Sequence, residues 1–216
     1  VAASLFVALL LAAGFPLMAE AGPLRDYLES RREQNTPPAP AVTAQVPDDL
    51  ADVRSVAGVK VLRDQVYGDH VRQRFDVYLP DRALQGAPIV LMVHGGGWTR
   101  GDKAMRAVVE NKVARWVPQG IILVSSNYRL QPDAAPIEQA RDVARALAAV
   151  QKTAARWGGE GGRVVLMGHS AGAHLVSLLA AAPELAVEVG AGHWLGTVAL
   201  DSGGFDIEKI MLAKHA

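Results

Sequence analysis

The sequence contains no cysteine among its 216 residues, and neither sign of charge is in excess. Without cysteine the chain forms no disulfide, binds no metal through thiolates and has no cysteine nucleophile. Any covalent chemistry must therefore use oxygen or nitrogen. Lysine and arginine total 22, as do aspartate and glutamate, so no basic surplus suggests nucleic acid as a partner and no acidic surplus suggests a solvating tail.

Metal-ligand spacing and phosphate-binding loops are also missing from the sequence. No pair of histidines recurs with a carboxylate at metal-ligand spacing. The glycine run at residues 95–97 lacks the following Lys-Ser or Lys-Thr of a phosphate loop. We therefore expect no metal and no cofactor.

The apolar run at residues 1–17 is shorter than the roughly 20 residues that span a bilayer. Ala19 and Ala21 follow it with the small-residue spacing of a signal-peptidase site. We predict a signal peptide over residues 1–21, incomplete at its start, and a secreted or periplasmic protein with no stable membrane span once the signal is removed. The alternative is an amphipathic or membrane-anchoring N-terminal helix.

The rest of the chain divides into a short N-terminal segment and one domain. Residues 22–57 are predicted to be a short helix followed by a proline-rich linker. Residues 58–216 form the folded domain in this interpretation, since the length suits a single core.

Hydrophobic patterns predict the order of elements in that domain. Residues 59–67 and 74–79 are predicted to form a hairpin, and the apolar runs 88–93 and 121–126 predict strands buried on both faces of a sheet. The remaining predicted elements are helices at 103–116, 136–157, 173–182 and 205–214, and strands at 163–167 and 196–200. The expected fold class is α/β, with a mostly parallel sheet, helices on both faces and ligands bound beyond the carboxyl ends of the strands.

Gly168-His169-Ser170-Ala171-Gly172 stands between a predicted strand and a predicted helix. That context is the one a nucleophile elbow requires. Glycine is expected at both flanks because the backbone is strained and the following helix passes too close for side chains. Ser170 is the predicted nucleophile.

A second motif, His94-Gly95-Gly96-Gly97-Trp98, ends the predicted strand 88–93. Consecutive glycines let bare backbone amides approach a ligand closely. Acyl transfer through Ser170 creates an oxyanion that needs donors about 3 Å away. We predict that the amides of Gly96, Gly97 and Ala171 form this oxyanion hole.

These two motifs, with Gly101-Asp102-Lys103, Asn127-Tyr128-Arg129-Leu130 and Asp142, resemble the α/β-hydrolase superfamily. Within it the chain is similar to hormone-sensitive-lipase-like carboxylesterases and to their feruloyl-esterase and acetyl-xylan-esterase relatives. It is also similar to arylformamidases, which share both motifs. The resemblance covers residues 58–212 and implies the α/β-hydrolase fold with Ser170 as nucleophile.

The superfamily places its catalytic acid and histidine on loops after two later strands, and only one predicted strand follows Ser170 here. We therefore expect a C-terminally truncated domain whose catalytic acid and histidine are not in this chain, and little activity from this stretch alone. The candidates within the sequence are Asp201, Asp206, His193 and His215. Asp201 fits a structural or pocket-rim role better, and His215 is not assigned as the base.

Other polar residues near the motifs have structural interpretations. His174 is expected to pack or hydrogen-bond within the elbow, and His169 is the variable elbow position. His94 is expected to fix the glycine loop rather than act as the base. Arg129 and Asp142 are expected to form a structural pair, and Trp98 to line the pocket or cover the loop.

The predicted function is hydrolysis of small-molecule carboxylic esters through an acyl-enzyme on Ser170. One alternative is an arylformamidase that cleaves N-formylkynurenine-like amides with the same residues. A second alternative, from a different class, is a non-catalytic binding protein with the hydrolase fold. The sequence predicts neither the acyl and alcohol specificity nor the oligomeric state.

Overall fold

The computed structural model of the protein describes residues 57–202. Several predictions lie outside the described residues. These are the signal peptide, nearly all of the helix and linker at 22–57, the helix at 205–214, and the candidates Asp206 and His215. No helix within the described range is long and apolar enough to cross a membrane.

Six strands and four α-helices make up the described chain. In order they are β1 (Val59–Val66), β2 (Arg74–Pro80), β3 (Ala87–Val93), α1 (Arg106–Trp116), β4 (Ile122–Ser126), α2 (Pro136–Thr153), β5 (Gly159–His169), α3 (Ala171–Ala181), α4 (Glu184–Val187) and β6 (Gly196–Leu200). Short 3₁₀ turns follow α1 and α2 at Val117–Gln119 and Ala154–Trp157. The predicted hairpin, the two doubly buried strands and the elbow strand are confirmed.

The strands form one sheet in the order β1-β2-β4-β3-β5-β6. β1 and β2 pair antiparallel, as do β2 and β4. The pairs β3–β4, β3–β5 and β5–β6 are parallel, so the predicted mostly parallel sheet is confirmed.

Apolar side chains alternate between the two faces of the sheet. Ile89, Leu91 and Val93 of β3 belong to a large core cluster that includes Val143 and Leu147 of α2. Met92 lies in a second cluster on the other face, with Val109 and Val113 of α1. The continuous apolar run of β3 is explained by this burial on both sides.

Helix α1 begins three residues later than predicted, and the cause is a turn at Asp102. The Asp102 carboxylate accepts a hydrogen bond from the Ala104 amide at 2.8 Å. The Asn127 side chain accepts one from the Lys103 amide at 2.7 Å. These bonds hold residues 102–104 outside the helix.

Candidate active site at the carboxyl edge of the sheet

Ser170 lies at a sharp turn between β5 and α3. Its backbone has φ 52° and ψ −117°, a conformation that residues other than glycine rarely adopt and that costs on the order of 1–3 kcal/mol. The Ser170 amide donates to the Leu200 carbonyl oxygen at the end of β6, at 2.9 Å. The strained turn is therefore held by a neighbouring strand as well as by its own.

The glycines that flank Ser170 are required by close packing. A Cβ atom on Gly168 would overlap the Gly172 carbonyl, and one on Gly172 would lie 2.5 Å from the His94 carbonyl oxygen and overlap that of Val93. Neither glycine has a positive φ. The backbone strain expected for the elbow is therefore at Ser170. The two glycines are explained by the close approach of α3 to the neighbouring backbone.

The glycine loop after β3 meets the elbow directly. A Cβ atom on Gly95 would lie 3.0 Å from the Ser170 Cβ and 2.9 Å from the His169 carbonyl oxygen. Gly96 and Gly97 have φ of 117° and 60°. Sequence reasoning singled out these two glycines for the oxyanion hole and missed the close contact at Gly95.

The three predicted oxyanion donors belong to the two motifs that meet here. Gly96 and Gly97 are half-buried, and Ala171 is the buried first residue of α3. Within residues 57–202 no backbone hydrogen bond uses the amides of Gly96, Gly97 or Ala171 as donors. These N–H groups are therefore available to an external acceptor, as an oxyanion hole requires.

His94 is fully buried beneath the glycine loop. Its Nδ1 lies 2.7 Å from the Gly95 carbonyl oxygen, and its ring stacks on Tyr128 with centroids 4.5 Å apart. Burial lowers the pKa of His94 to about 4, and the positive charge of Arg72 contributes to this decrease. The neutral, enclosed ring fits the predicted role of fixing the loop.

Arg72 is a support of the site that sequence reasoning missed. Its guanidinium donates to the carbonyl oxygens of Gly101 at 2.7 Å and Tyr128 at 3.0 Å. It also reaches the Asn127 side-chain oxygen at 3.3 Å. No local motif marks this arginine; only the position of the β1–β2 hairpin in the sheet could have identified it.

The predicted structural pair of Arg129 and Asp142 is confirmed. The Asp142 carboxylate is fully buried and accepts two hydrogen bonds from the Arg129 guanidinium, at 2.7 and 2.8 Å. Arg145 and Gln73 each donate to it at 2.8 Å. This carboxylate joins the β1–β2 hairpin, the chain after β4 and helix α2.

His174 and Trp98 pack behind the elbow. The His174 ring is 3% exposed and meets the Trp98 ring edge to face at 5.7 Å. Burial lowers the pKa of His174. Packing within the elbow, as predicted, is confirmed for His174, and the 6% exposure of Trp98 supports its role as a cover for the loop.

Asp201 and His193, the described candidates for the catalytic acid and base, lie in different places relative to Ser170. The Asp201 side chain is 91% exposed at the end of β6, and its Oδ2 lies 3.9 Å from Nε2 of His169, a placement at the rim of the site. His193 lines an open cavity of about 840 Å³ with Gln151 and Gly161. His193 precedes β6, whose first residue Gly196 pairs with Val165 of β5, so His193 lies toward the amino ends of these strands and away from Ser170.

No group of three or more histidines, aspartates and glutamates in the described part of the chain could hold a metal ion. A serine on a strained turn, packed against a glycine loop, is an arrangement that acyl transfer can use.

A sequence model of the BD-FAE family matches residues 75–193, a range that contains both motifs. The chain belongs to the BD-FAE family. Among curated proteins, this BD-FAE chain is similar to the probable isoprenylcysteine alpha-carbonyl methylesterase ICME of Oryza sativa subsp. japonica, 31% identical over 70% of this chain and 37% of that protein. It is also similar to the probable carboxylic ester hydrolase LipM of Mycobacterium tuberculosis, 34% identical over 68% of this chain and 34% of that protein.

The BD-FAE chain thus spans about a third of the length of these two curated relatives. Among solved structures, esterase B from Lactobacillus rhamnosis superposes with a TM-score of 0.53 at 24% identity, over 83% of this chain and 51% of that chain. This likeness shows the fold, and the predicted α/β-hydrolase fold is confirmed.

Proposed function

We propose that the protein hydrolyses carboxylic esters of small molecules through an acyl-enzyme on Ser170. The observation that carries the proposal is the contact between the two motifs, since a Cβ atom on Gly95 would lie 3.0 Å from the Ser170 Cβ. A binding protein needs neither a strained serine nor a bare glycine loop against it. The relatives named as an ester hydrolase and a methylesterase support ester chemistry.

In this proposal the Ser170 hydroxyl oxygen attacks the ester carbonyl carbon and loses its proton to a general base. The carbonyl oxygen becomes an oxyanion and accepts hydrogen bonds from the amides of Gly96, Gly97 and Ala171. Collapse of the tetrahedral intermediate breaks the ester C–O bond, and the leaving alkoxide takes up the proton. Water then attacks the acyl-enzyme, releases the acid and restores Ser170.

The general base and its acid partner stay predictions. Among the described residues no histidine hydrogen-bonds to the Ser170 hydroxyl. His94 is enclosed and bonded to Gly95, and His193 lies before the start of β6, away from Ser170. The histidine and the acid that would complete a triad are not assigned among the described residues.

The proposal is tested by the turnover of p-nitrophenyl butyrate by the full-length protein and its Ser170→Ala variant. We expect the variant to lose turnover by on the order of 10⁴-fold or more, because the nucleophile acts as a unit with its base. Ser177→Ala, on the same helix, is the matched control and should retain turnover. Equal turnover by Ser170→Ala and the wild type contradicts the proposal, and turnover of N-formylkynurenine without ester turnover favours the amidase alternative.

A further inference from the structure

The proposed oxyanion hole depends on the orientation of one peptide unit. The Gly95 carbonyl and the Gly96 N–H belong to the same planar trans peptide and point in opposite directions. Nδ1 of His94 lies 2.7 Å from the Gly95 carbonyl oxygen. Because a carbonyl oxygen only accepts, Nδ1 carries the proton. This bond holds the carbonyl toward His94 and turns the Gly96 N–H to the other side.

Arg72 faces the other side of the His94 ring. With the proton on Nδ1, the other ring nitrogen Nε2 is an acceptor. The Arg72 Nη2 lies 3.4 Å from it. An arginine is always a donor and carries a positive charge, so Arg72 favours the neutral tautomer that donates to Gly95. The bond from the Tyr128 hydroxyl to the His94 carbonyl oxygen, at 3.0 Å, fixes the backbone of the same residue.

The Arg72 guanidinium also binds the two chain segments that follow the glycine loop and strand β4. Nη2 donates to the Gly101 carbonyl oxygen, which follows the glycine loop, and Nε donates to the Tyr128 carbonyl oxygen, after β4. Arg72 is at the tip of the β1–β2 hairpin, and β2 begins beside Ser126 at the end of β4. The antiparallel pairing therefore delivers the hairpin tip to the same edge of the sheet as Ser170.

We propose that Arg72 is a positioning residue for the oxyanion hole, which it aligns through His94 and the Gly95–Gly96 peptide. This inference rests on the proposed function. Arg72 does not contact the substrate in this account. Arg72 therefore affects the stability of the transition state and not substrate binding, because the Gly96 N–H that it aligns binds the oxyanion.

The test compares Arg72→Met and Arg72→Lys with the wild type in the full-length protein. We expect kcat for p-nitrophenyl butyrate to fall by roughly 10- to 100-fold in Arg72→Met, less than or equal to the loss of one oxyanion donor, and by a smaller factor in Arg72→Lys. KM should change by less than about twofold. The inhibition constant of an alkyl trifluoromethyl ketone, whose serine adduct carries an oxyanion, should rise by the same factor as kcat falls.

Arg74→Met is the matched control, because within residues 57–202 the Arg74 guanidinium donates to carbonyl oxygens of the hairpin itself, those of Gly68, His70 and Gln73. It should loosen the tip and leave kcat near the wild-type value. The double variant Arg72→Met/His94→Ala should be no slower than its slower single variant, since both changes break one chain of contacts.

The outcomes separate the two proposals. A wild-type protein without Ser170-dependent turnover refutes the proposed function, and the role of Arg72 falls with it. An active wild type with equal kcat losses in Arg72→Met and Arg74→Met overturns the inference about Arg72 alone. A rise in KM at constant kcat, or additive losses in the double variant, overturns it as well.

Discussion

Gly95 lies closer to the elbow than any side chain would allow. A Cβ atom there would lie 3.0 Å from the Ser170 Cβ and 2.9 Å from the His169 carbonyl oxygen. We expect Gly95→Ala to push the glycine loop away from the serine and to lower kcat by roughly 10- to 100-fold, within the range for a misplaced oxyanion donor. The measurement is ester turnover at saturating substrate.

Gly162→Ala is the control for that substitution, since a Cβ atom on Gly162 has nothing within 4 Å. It should leave turnover unchanged. If Gly95→Ala is as active as Gly162→Ala, the glycine loop does not lie against Ser170 as described.

The buried His94 makes the stability of the domain depend on pH. Burial, with the Arg72 charge, lowers the pKa of His94 from 6.5 to about 4 in the folded protein. Below pH 6.5 the unfolded chain therefore binds a proton at His94 that the folded chain does not bind until about pH 4. This contribution to stability is present above pH 6.5 and is lost as the pH falls through this window, by on the order of 3 kcal/mol.

Urea denaturation between pH 4 and pH 7.5 measures this dependence. The His94→Asn variant does not titrate at that position, so its free energy of unfolding should fall less steeply with decreasing pH than that of the wild type. Any constant difference between the two proteins reflects the lost bond to Gly95. Parallel curves over this window contradict the account of a buried neutral His94.

At the residue scale, sequence reasoning found the groups with a motif and missed those without one. Ser170 and the glycines of both motifs have distinctive spacing and context. Arg72 has no pattern around it, and its partners Gly101 and Tyr128 are far from it in sequence. Long-range hydrogen bonds of this kind leave no periodic signal.

At the scale of elements, the elbow depends on the close packing of α3 against the end of β3. Glycine normally weakens a helix by about 1 kcal/mol relative to alanine. At Gly172 this preference is reversed, because a Cβ atom would overlap the Val93 carbonyl oxygen and lie 2.5 Å from that of His94. Helix α3 can approach β3 only with glycine at this position.

We therefore expect Gly172→Ala to destabilise the domain by about 3 kcal/mol, the upper part of the range for overpacking. Thermal or urea unfolding of the full-length protein measures the change. Gly162→Ala, which meets no neighbouring atom within 4 Å, should be close to neutral. A Gly172→Ala protein as stable as the wild type contradicts the described packing of α3 on β3.

Most of the regular elements could be predicted from sequence, whereas the short helix α4 and the ends of several elements could not. Strands β3 and β4 are buried on both faces, so their apolar runs are continuous and easily recognised. The start of α1 at Arg106 depends on the Asp102 turn and the distant Asn127. Helix α4 has only four residues, too few for a helical period to show.

At the scale of the whole molecule, the sheet order brings the functional parts together. β3 and β5 are adjacent and parallel, so the glycine loop after β3 and Ser170 after β5 emerge side by side. The repeated β-α units predict a mostly parallel sheet. The placement of β2 against β4, which brings Arg72 to the site, was not.

The central claim, that Ser170 is an activated nucleophile, is tested most directly by a fluorophosphonate probe on the full-length protein with peptide mass spectrometry. We expect one phosphonyl adduct on Ser170, none on Ser177 or Ser202, and no labelling of Ser170→Ala. A folded wild-type protein that takes up no probe, or that carries the adduct on another serine, would contradict the account.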